Sequence, residues 1–172
     1  MKVLLLTLVL GLVYGELPEL TPEQVDGDWR TLYTGADNVE KTSEGGPLRA
    51  YYRHMECTPS CENVTLSFYI KFGENCTLIT IVGQRTPEGS YTIYAEETGL
   101  STFQVLPLTE KLMSVYNVNV DPEEKTTHMI TLIGKETQVT EEQVQEFYQI
   151  AEKHGIAKEN IQDAVPTDTC ED

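Results

Sequence analysis

The chain has 172 residues, of which 28 are acidic and 12 are basic, and its formal net charge at pH 7 is -16. A surface this acidic repels the phosphates of nucleic acids and the anionic headgroups of membranes, so neither is an expected partner. The length is typical of one domain with its own core.

The first segment is a predicted secretory leader. Lys2 precedes an apolar run from Val3 to Val13, and the segment ends with a small residue at Gly15, a pattern typical of a cleaved signal peptide. The run is too short to span a bilayer, and no later segment reaches about 18 continuous apolar residues. We therefore expect a signal peptide over residues 1–15 and one secreted domain over residues 16–172, without membrane insertion.

Eight short runs that are rich in β-branched and aromatic residues follow the leader. The clearest one spans residues 64–72, where Leu66, Phe68 and Ile70 alternate with polar side chains, as in an antiparallel strand with one buried face. Eight meandering strands at this spacing predict an up-and-down antiparallel β-barrel that is wide enough to hold one small ligand. The predicted strands cover residues 29–33, 48–55, 64–72, 76–84, 90–95, 102–106, 112–120 and 127–133, with turn residues such as Pro107 between them.

One helix is predicted after the eighth strand. Thr140 and Gln143 have the spacing of a capping box, and Gly155 is a typical helix stop. Both faces of the preceding strand are apolar, so we expect its outer face, with Ile130 and Leu132, to receive the helix. The apolar residues that recur at helical spacing are Val144, Phe147, Tyr148 and Ala151.

The cysteines predict a disulfide-bonded protein. An even number of them behind a signal peptide favours two disulfides, and four cysteines allow three pairings. A bond from Cys76 to Cys170 would close a long loop and stabilise the fold by about 4 to 5 kcal/mol in the chain-entropy model. No histidine lies at ligand spacing from any cysteine, so a zinc site is not expected. The four cysteines are Cys57, Cys61, Cys76 and Cys170.

Two sequons predict N-linked glycans at Asn63 and Asn75, at the two ends of the strand over residues 64–72. No catalytic site is predicted, because the histidines have no serine or cysteine nucleophile beside them in a recognisable motif. The three histidines are His54, His128 and His154. We therefore expect neither enzyme activity nor a cofactor.

The chain resembles the lipocalins over essentially its whole mature length. Gly27-Asp28-Trp29 is similar to the first-strand motif of that family, and Gly134-Lys135 is similar to its last-strand motif. Three longer segments resemble the branch that holds the mammalian odorant-binding proteins and aphrodisin, namely residues 44–52, Cys57-x-x-x-Cys61 and the Pro166 to Cys170 segment.

This resemblance implies an all-β fold with one helix, an eight-stranded calyx with the C-terminal helix packed outside. It also implies that Cys57 pairs with Cys61 and Cys76 with Cys170. Where many lipocalins have arginine after the last-strand glycine, this chain has Lys135. We expect the lysine to lie over the face of Trp29 and close the narrow end of the barrel through a cation-π contact.

Strand parity and the resemblance together predict the residues that face the interior. None of them is charged, and a charged ligand would lose its hydration there without a partner, so the cavity favours neutral hydrophobic molecules. Three of them, Tyr52, Tyr116 and Thr131, can each donate one hydrogen bond to a ligand. The predicted ligand-binding residues are Leu48, Ala50, Tyr52, Met55, Leu66, Phe68, Ile70, Ile81, Phe103, Val105, Tyr116, Val118, Met129, Thr131 and Ile133.

The expected function is that of a secreted carrier for small hydrophobic molecules such as odorants or pheromones. The alternative is a protein-level chemical signal that a receptor recognises directly, or a scavenger of lipids and aldehydes in a glandular secretion. A monomer or a weak homodimer is expected in either case.

Overall fold

A meander of antiparallel strands makes up most of the computed structural model, which describes residues 19–171. The predicted leader over residues 1–15 lies outside the described residues. The strands are β1 (Gly27–Asp28), β2 (Arg30–Ala36), β3 (Tyr51–Cys57), β4 (Asn63–Phe72), β5 (Asn75–Arg85), β6 (Tyr91–Ala95), β7 (Gly99–Thr109), β8 (Leu112–Val120), β9 (Thr126–Gly134) and β10 (Ile161–Asp163). The helices are α1 (Pro22–Val25) and α2 (Glu141–Lys153). Between residues 19 and 171 no helix combines the length and the apolar character needed to cross a membrane.

The stretch over residues 27–36 joins the two ends of the meander. Its β1 part pairs with β3, and its β2 part pairs with β9. Between the two parts, the N–H of Trp29 donates to the carbonyl oxygen of Arg53 over 3.0 Å. Because one continuous stretch is hydrogen-bonded on both sides, the sheet curls into a barrel whose connecting loops alternate between a mouth and a closed end.

The predicted strands are confirmed, with differences at their ends. The prediction that Pro107 separates two strands is wrong, because Pro107 lies inside β7, where the pairing with β8 shifts register between Pro107 and Thr109. An irregular position tolerates the missing N–H of proline. Leu48 was expected in the third strand, but β3 begins only at Tyr51. The short strand β10, which pairs with β2, has no periodicity that would have predicted it.

Helix α2 packs on the outside of the barrel, as predicted. The Thr140 hydroxyl accepts a hydrogen bond from the Gln143 N–H, and the Gln143 side chain accepts one from the Thr140 N–H, each over 3.1 Å. Gly155 follows the helix with a φ of +76°, a backbone conformation that favours glycine. The cluster between helix and barrel contains Leu32, Leu112, Ile130, Leu132, Phe147, Ala151 and Ile156.

Trp29 fills the closed end of the barrel. The residue is fully buried, and its indole Nε1 donates to the carbonyl oxygen of Val25 in α1 over 2.8 Å. The ammonium of Lys135 lies 5.2 Å from the centre of the Trp29 ring, so the predicted cation-π contact is confirmed. This end is therefore a packed core.

Both implied disulfides are present, Cys57 to Cys61 and Cys76 to Cys170. The second one ties the end of the chain to β5. The same terminal segment is held by Arg53, whose guanidinium donates to both carboxylate oxygens of Asp168 over 2.8 Å and 2.6 Å. Two separate attachments thus keep residues 163–170 against the wall of the barrel.

Candidate ligand-binding cavity

A cavity of about 350 Å³ occupies the barrel between the Trp29 core and the mouth. Its walls come from seven strands and from the loops at the mouth. The lining residues are Pro47, Leu48, Ala50, Tyr52, Leu66, Phe68, Ile70, Phe72, Ile79, Ile81, Ile93, Ala95, Glu97, Thr98, Gly99, Ser101, Phe103, Val115, Asn117, Met129 and Thr131. Most of these side chains are apolar, so the space excludes charge and favours hydrocarbon.

Aromatic rings form two parts of the wall. The rings of Tyr52 and Phe68 are 6.3 Å apart across β3 and β4, and Phe103 stacks on Tyr91 at 5.4 Å. Gly83 of β5 lies against Phe103, because a Cβ atom at this position would come within 2.8 Å of the ring. The missing side chain at Gly83 therefore lets Phe103 lie close to the strand.

Few polar groups reach the cavity. The hydroxyls of Thr131 and Thr34 are hydrogen-bonded to each other at 3.2 Å. The Asn117 amide donates to the Met129 sulfur over 3.4 Å, whereas its Oδ1 atom is buried and has no partner in the described part of the chain. An unpaired buried acceptor is costly, so this atom is a local polar defect in the apolar wall.

The Tyr52 hydroxyl is a hydrogen-bond donor in the wall of the cavity. The Tyr52 hydroxyl has no hydrogen-bond partner within residues 19–171. Outside the sheet ladder, the backbone N–H of Tyr52 donates to the Thr31 hydroxyl and its carbonyl oxygen accepts from Arg53. Burial raises the pKa of Tyr52 well above its ordinary value, because the phenolate loses its hydration. The group therefore remains a neutral phenol that can donate to a carbonyl or hydroxyl oxygen.

The structure brings together ten of the predicted ligand-binding residues. Those that line the cavity are Leu48, Ala50, Tyr52, Leu66, Phe68, Ile70, Ile81, Phe103, Met129 and Thr131. All of the described lining residues are neutral except Glu97, which is exposed at the mouth. The neutral interior agrees with the sequence expectation, and the acid at the mouth is an addition to it.

Three predicted residues face inward but lie below the cavity. Met55, Val105 and Ile133 belong to the closed-end core together with Trp29. Strand alternation predicts which face a side chain occupies and contains no information on its height along the barrel axis. The structure therefore places these three residues outside the wall of the cavity.

Two predicted residues lie on the outer face of β8. Tyr116 packs with the cluster under α2, and its ring lies 4.2 Å from that of His154. Val118 pairs with His128, on the same outer face. The predicted parity of β8 is wrong by one residue, and Val115 and Asn117 occupy the inner face instead.

Several lining residues were not predicted. Phe72, Ile79 and Ile93 share the inward parity of their strands and could have been found by extending the alternation toward the mouth. The loop residues carry no comparable signal, since loops have no period. The unpredicted set is Pro47, Phe72, Ile79, Ile93, Ala95, Glu97, Thr98, Gly99, Ser101, Val115 and Asn117.

An antiparallel barrel with one external helix and an apolar interior cavity defines a calyx protein that binds small molecules. The Lipocalin / cytosolic fatty-acid binding protein family matches residues 26–168. The chain belongs to this family.

Individual relatives agree with this assignment. The chain is 42% identical to an odorant-binding protein of Rattus norvegicus over 171 residues, which is 98% of each chain. It is similar to the crystal structure of aphrodisin, a sex pheromone from female hamster, with 34% identity, a TM-score of 0.81, and coverage of 86% of this chain and 99% of that one. A complex of bovine odorant-binding protein with undecanal is 27% identical, with a TM-score of 0.61 and coverage of 88% and 96%.

Proposed function

We propose that the protein is a secreted carrier that binds small neutral hydrophobic molecules, of the odorant or pheromone kind, inside the barrel. The observation that carries this proposal is the cavity of about 350 Å³ with a wall free of formal charge below the mouth. A hydrocarbon chain gains free energy by leaving water for such a space, whereas an ion would lose its hydration without a partner.

The relatives support the same class of ligand. The bovine odorant-binding protein named above has been solved with undecanal, an aliphatic aldehyde. A molecule of this kind has an apolar body and one oxygen, which matches a hydrocarbon wall that offers the Tyr52 hydroxyl as a donor. The proposed ligand-binding residues are the ten predicted ones that line the cavity, joined by Val115 and Asn117.

Binding is expected to be of moderate strength. Burial of about ten methylene-sized groups gains roughly 8 kcal/mol, and the loss of translational and rotational freedom takes back at least about 4 kcal/mol. The difference corresponds to dissociation constants near millimolar, improving toward micromolar where aromatic packing on Phe68 and Phe103 is good. Such affinities suit a carrier that must also release its ligand.

Secretion and glycosylation belong to the same proposal. Cleavage after Gly15 would release the acidic domain. We expect this domain to be a monomer or a weak homodimer, and size-exclusion chromatography measures its oligomeric state. Asn75 is exposed at the start of β5, and Asn63 is half-buried at the start of β4. We expect a glycosidase-sensitive mass on the protein from a mammalian secretory host, and its partial loss in Asn75→Gln.

Displacement of a fluorescent hydrophobic probe, N-phenyl-1-naphthylamine, tests the carrier function. Saturable displacement at one site by aliphatic alcohols and aldehydes is the expected result. Absence of saturable probe binding, combined with activation of a receptor by ligand-stripped protein, would instead favour the protein-level signal.

A further inference from the structure

The ring of Phe103 is the lowest part of the cavity wall on the side of β5, β6 and β7. Phe103 is the deepest residue of β7 that lines the cavity, because the next inward residue, Val105, belongs to the closed-end core. In β5 and β6 the next inward residues toward the closed end are Gly83 and Tyr91, and neither lines the cavity. A ligand that extends down this side of the barrel therefore ends against the Phe103 ring.

Tyr91 supports this ring from the side of the core. The two rings are stacked, with their centroids 5.4 Å apart and an interplanar angle of 20°. Tyr91 is 2% exposed, and its hydroxyl donates to the Cys61 carbonyl oxygen over 2.6 Å. Breaking a buried hydrogen bond is costly, and the core around Tyr91 is close-packed. Tyr91 therefore stays in place, and the Phe103 ring cannot move toward the core.

Gly83 leaves the space that the edge of the Phe103 ring occupies. A Cβ atom at Gly83 would lie 2.8 Å from Cζ and 3.0 Å from Cε1 of Phe103, and 3.3 Å from Cβ of Tyr91. Carbon atoms in contact prefer a separation of about 3.5 to 4.0 Å, so a methyl group here would displace the ring by roughly 1 Å. Gly83 does not have a positive φ, so its backbone is compatible with alanine.

The cavity is the space into which a displaced ring would move. Tyr91 covers one face of the Phe103 ring, β5 lies at its edge, and the ring borders the cavity. A side chain at Gly83 would therefore raise the floor, and the absence of one keeps the floor low.

We propose that Gly83, acting through Phe103, sets the depth of the cavity and thereby the longest hydrocarbon chain that a ligand can bury. Phe103 is the residue that contacts the end of the ligand, and Gly83 is a positioning residue that does not contact it. This inference rests on the proposed carrier function. It names chain length as a property by which the cavity selects among neutral ligands.

The test uses the straight-chain primary alcohols from hexanol to dodecanol as competitors of N-phenyl-1-naphthylamine. The dissociation constant of this probe is measured separately for each variant. Each methylene group that enters the cavity should tighten binding about four-fold, whereas those beyond its capacity remain in water and add little. The chain length at which affinity stops rising, here called the break point, measures the depth of the cavity.

Gly83→Ala should move the break point to a chain that is shorter by about one carbon, because a shift of roughly 1 Å is comparable to a carbon–carbon bond of about 1.5 Å. Alcohols at or beyond the wild-type break point should bind about four-fold more weakly. Hexanol, which still fits in the shortened cavity, should bind as it does to the wild type.

Phe103→Leu makes the opposite change, because it removes about three carbon atoms from the floor and should lengthen the break point by about two carbons. Adding Gly83→Ala to Phe103→Leu should not move the break point further, because the ring that the methyl group displaces is gone. This double-mutant cycle isolates the action of Gly83 through Phe103. If thermal unfolding shows that Gly83→Ala alone does not fold, the same contact predicts that Phe103→Leu restores folding, and failure to restore it overturns the proposal.

Val82→Ile is the matched control. It also adds one carbon to β5, at the neighbouring residue, but on the outer face, where Val82 is 53% exposed. The break point and the affinities of the wild type should be retained.

The outcomes separate this inference from the carrier function. Equal weakening of hexanol and dodecanol in Gly83→Ala would indicate lost packing instead of lost depth and overturns the proposal. An unchanged break point in folded Phe103→Leu, or the same shift by Gly83→Ala with and without Phe103→Leu, also overturns it. In each of these cases displacement of the probe from the wild type leaves the carrier function standing. Failure of every alcohol to displace the probe from the wild type overturns both.

Discussion

The inner face of β8 allows a sharp test of the cavity, because Val115 lines it and Val118 lies on the outer face of the same strand. Val115 is only 4% exposed, so a larger side chain at this position has no room except the cavity itself. Val115→Phe adds about four carbon atoms to the wall and excludes a similar number of methylene-sized groups of the ligand. At about 0.8 kcal/mol for each group, the loss is about 3 kcal/mol.

A loss of this size corresponds to about 150-fold weaker binding of a ligand such as nonanol. Probe displacement measures it directly, and thermal unfolding shows whether the variant remains folded. Val118→Phe makes the same chemical change on the half-buried outer face and should alter the affinity less than about two-fold. Equal losses in the two variants, or full affinity in a folded Val115→Phe, would refute both the parity of β8 and the position of the cavity.

Three further outcomes follow from single contacts. Tyr52→Phe should weaken binding of nonanal about 2- to 10-fold and leave binding of nonane unchanged in the same displacement assay, because one hydrogen bond is lost. Cys76→Ser/Cys170→Ser should lower the free energy of unfolding by about 4 to 5 kcal/mol in urea titrations, since the bond spans a separation of 94 residues; an unchanged midpoint would contradict this. The hydrogen bond to Asp28 raises the pKa of His54, so its stabilisation is complete below the imidazole's unfolded pKa of about 6.5 and disappears as the pH rises through the higher folded value. Unfolding curves across this interval should converge for wild type and His54→Gln, and a constant difference would exclude the contact.

The sequence by itself determined the features that depend on local chemistry. The capping box of Thr140 and Gln143, the stop at Gly155 and the alternation in β4 each involve neighbouring residues whose side-chain preferences suffice to define the element. The Lys135 contact with Trp29 followed from motifs in the first and the last predicted strands, once the resemblance to lipocalins placed these motifs side by side. The disulfide pairing became specific in the same way.

Only the tertiary structure decided the parity of β8 and the depth of each residue in the barrel. Helix α2 covers the outer face of this strand, so Tyr116 is half-buried there, while Asn117 faces the interior. As a result, neither face of β8 is uniformly polar or apolar. The alternation that would identify its inner face in the sequence is therefore absent. Met55, Val105 and Ile133 have the inward parity of true cavity residues, yet the packing around Trp29 assigns them to the core. Side-chain alternation in a strand shows which face a residue occupies, but it does not show how deep in the barrel the residue lies. The boundary between core and cavity is therefore decided only when all the strands pack together.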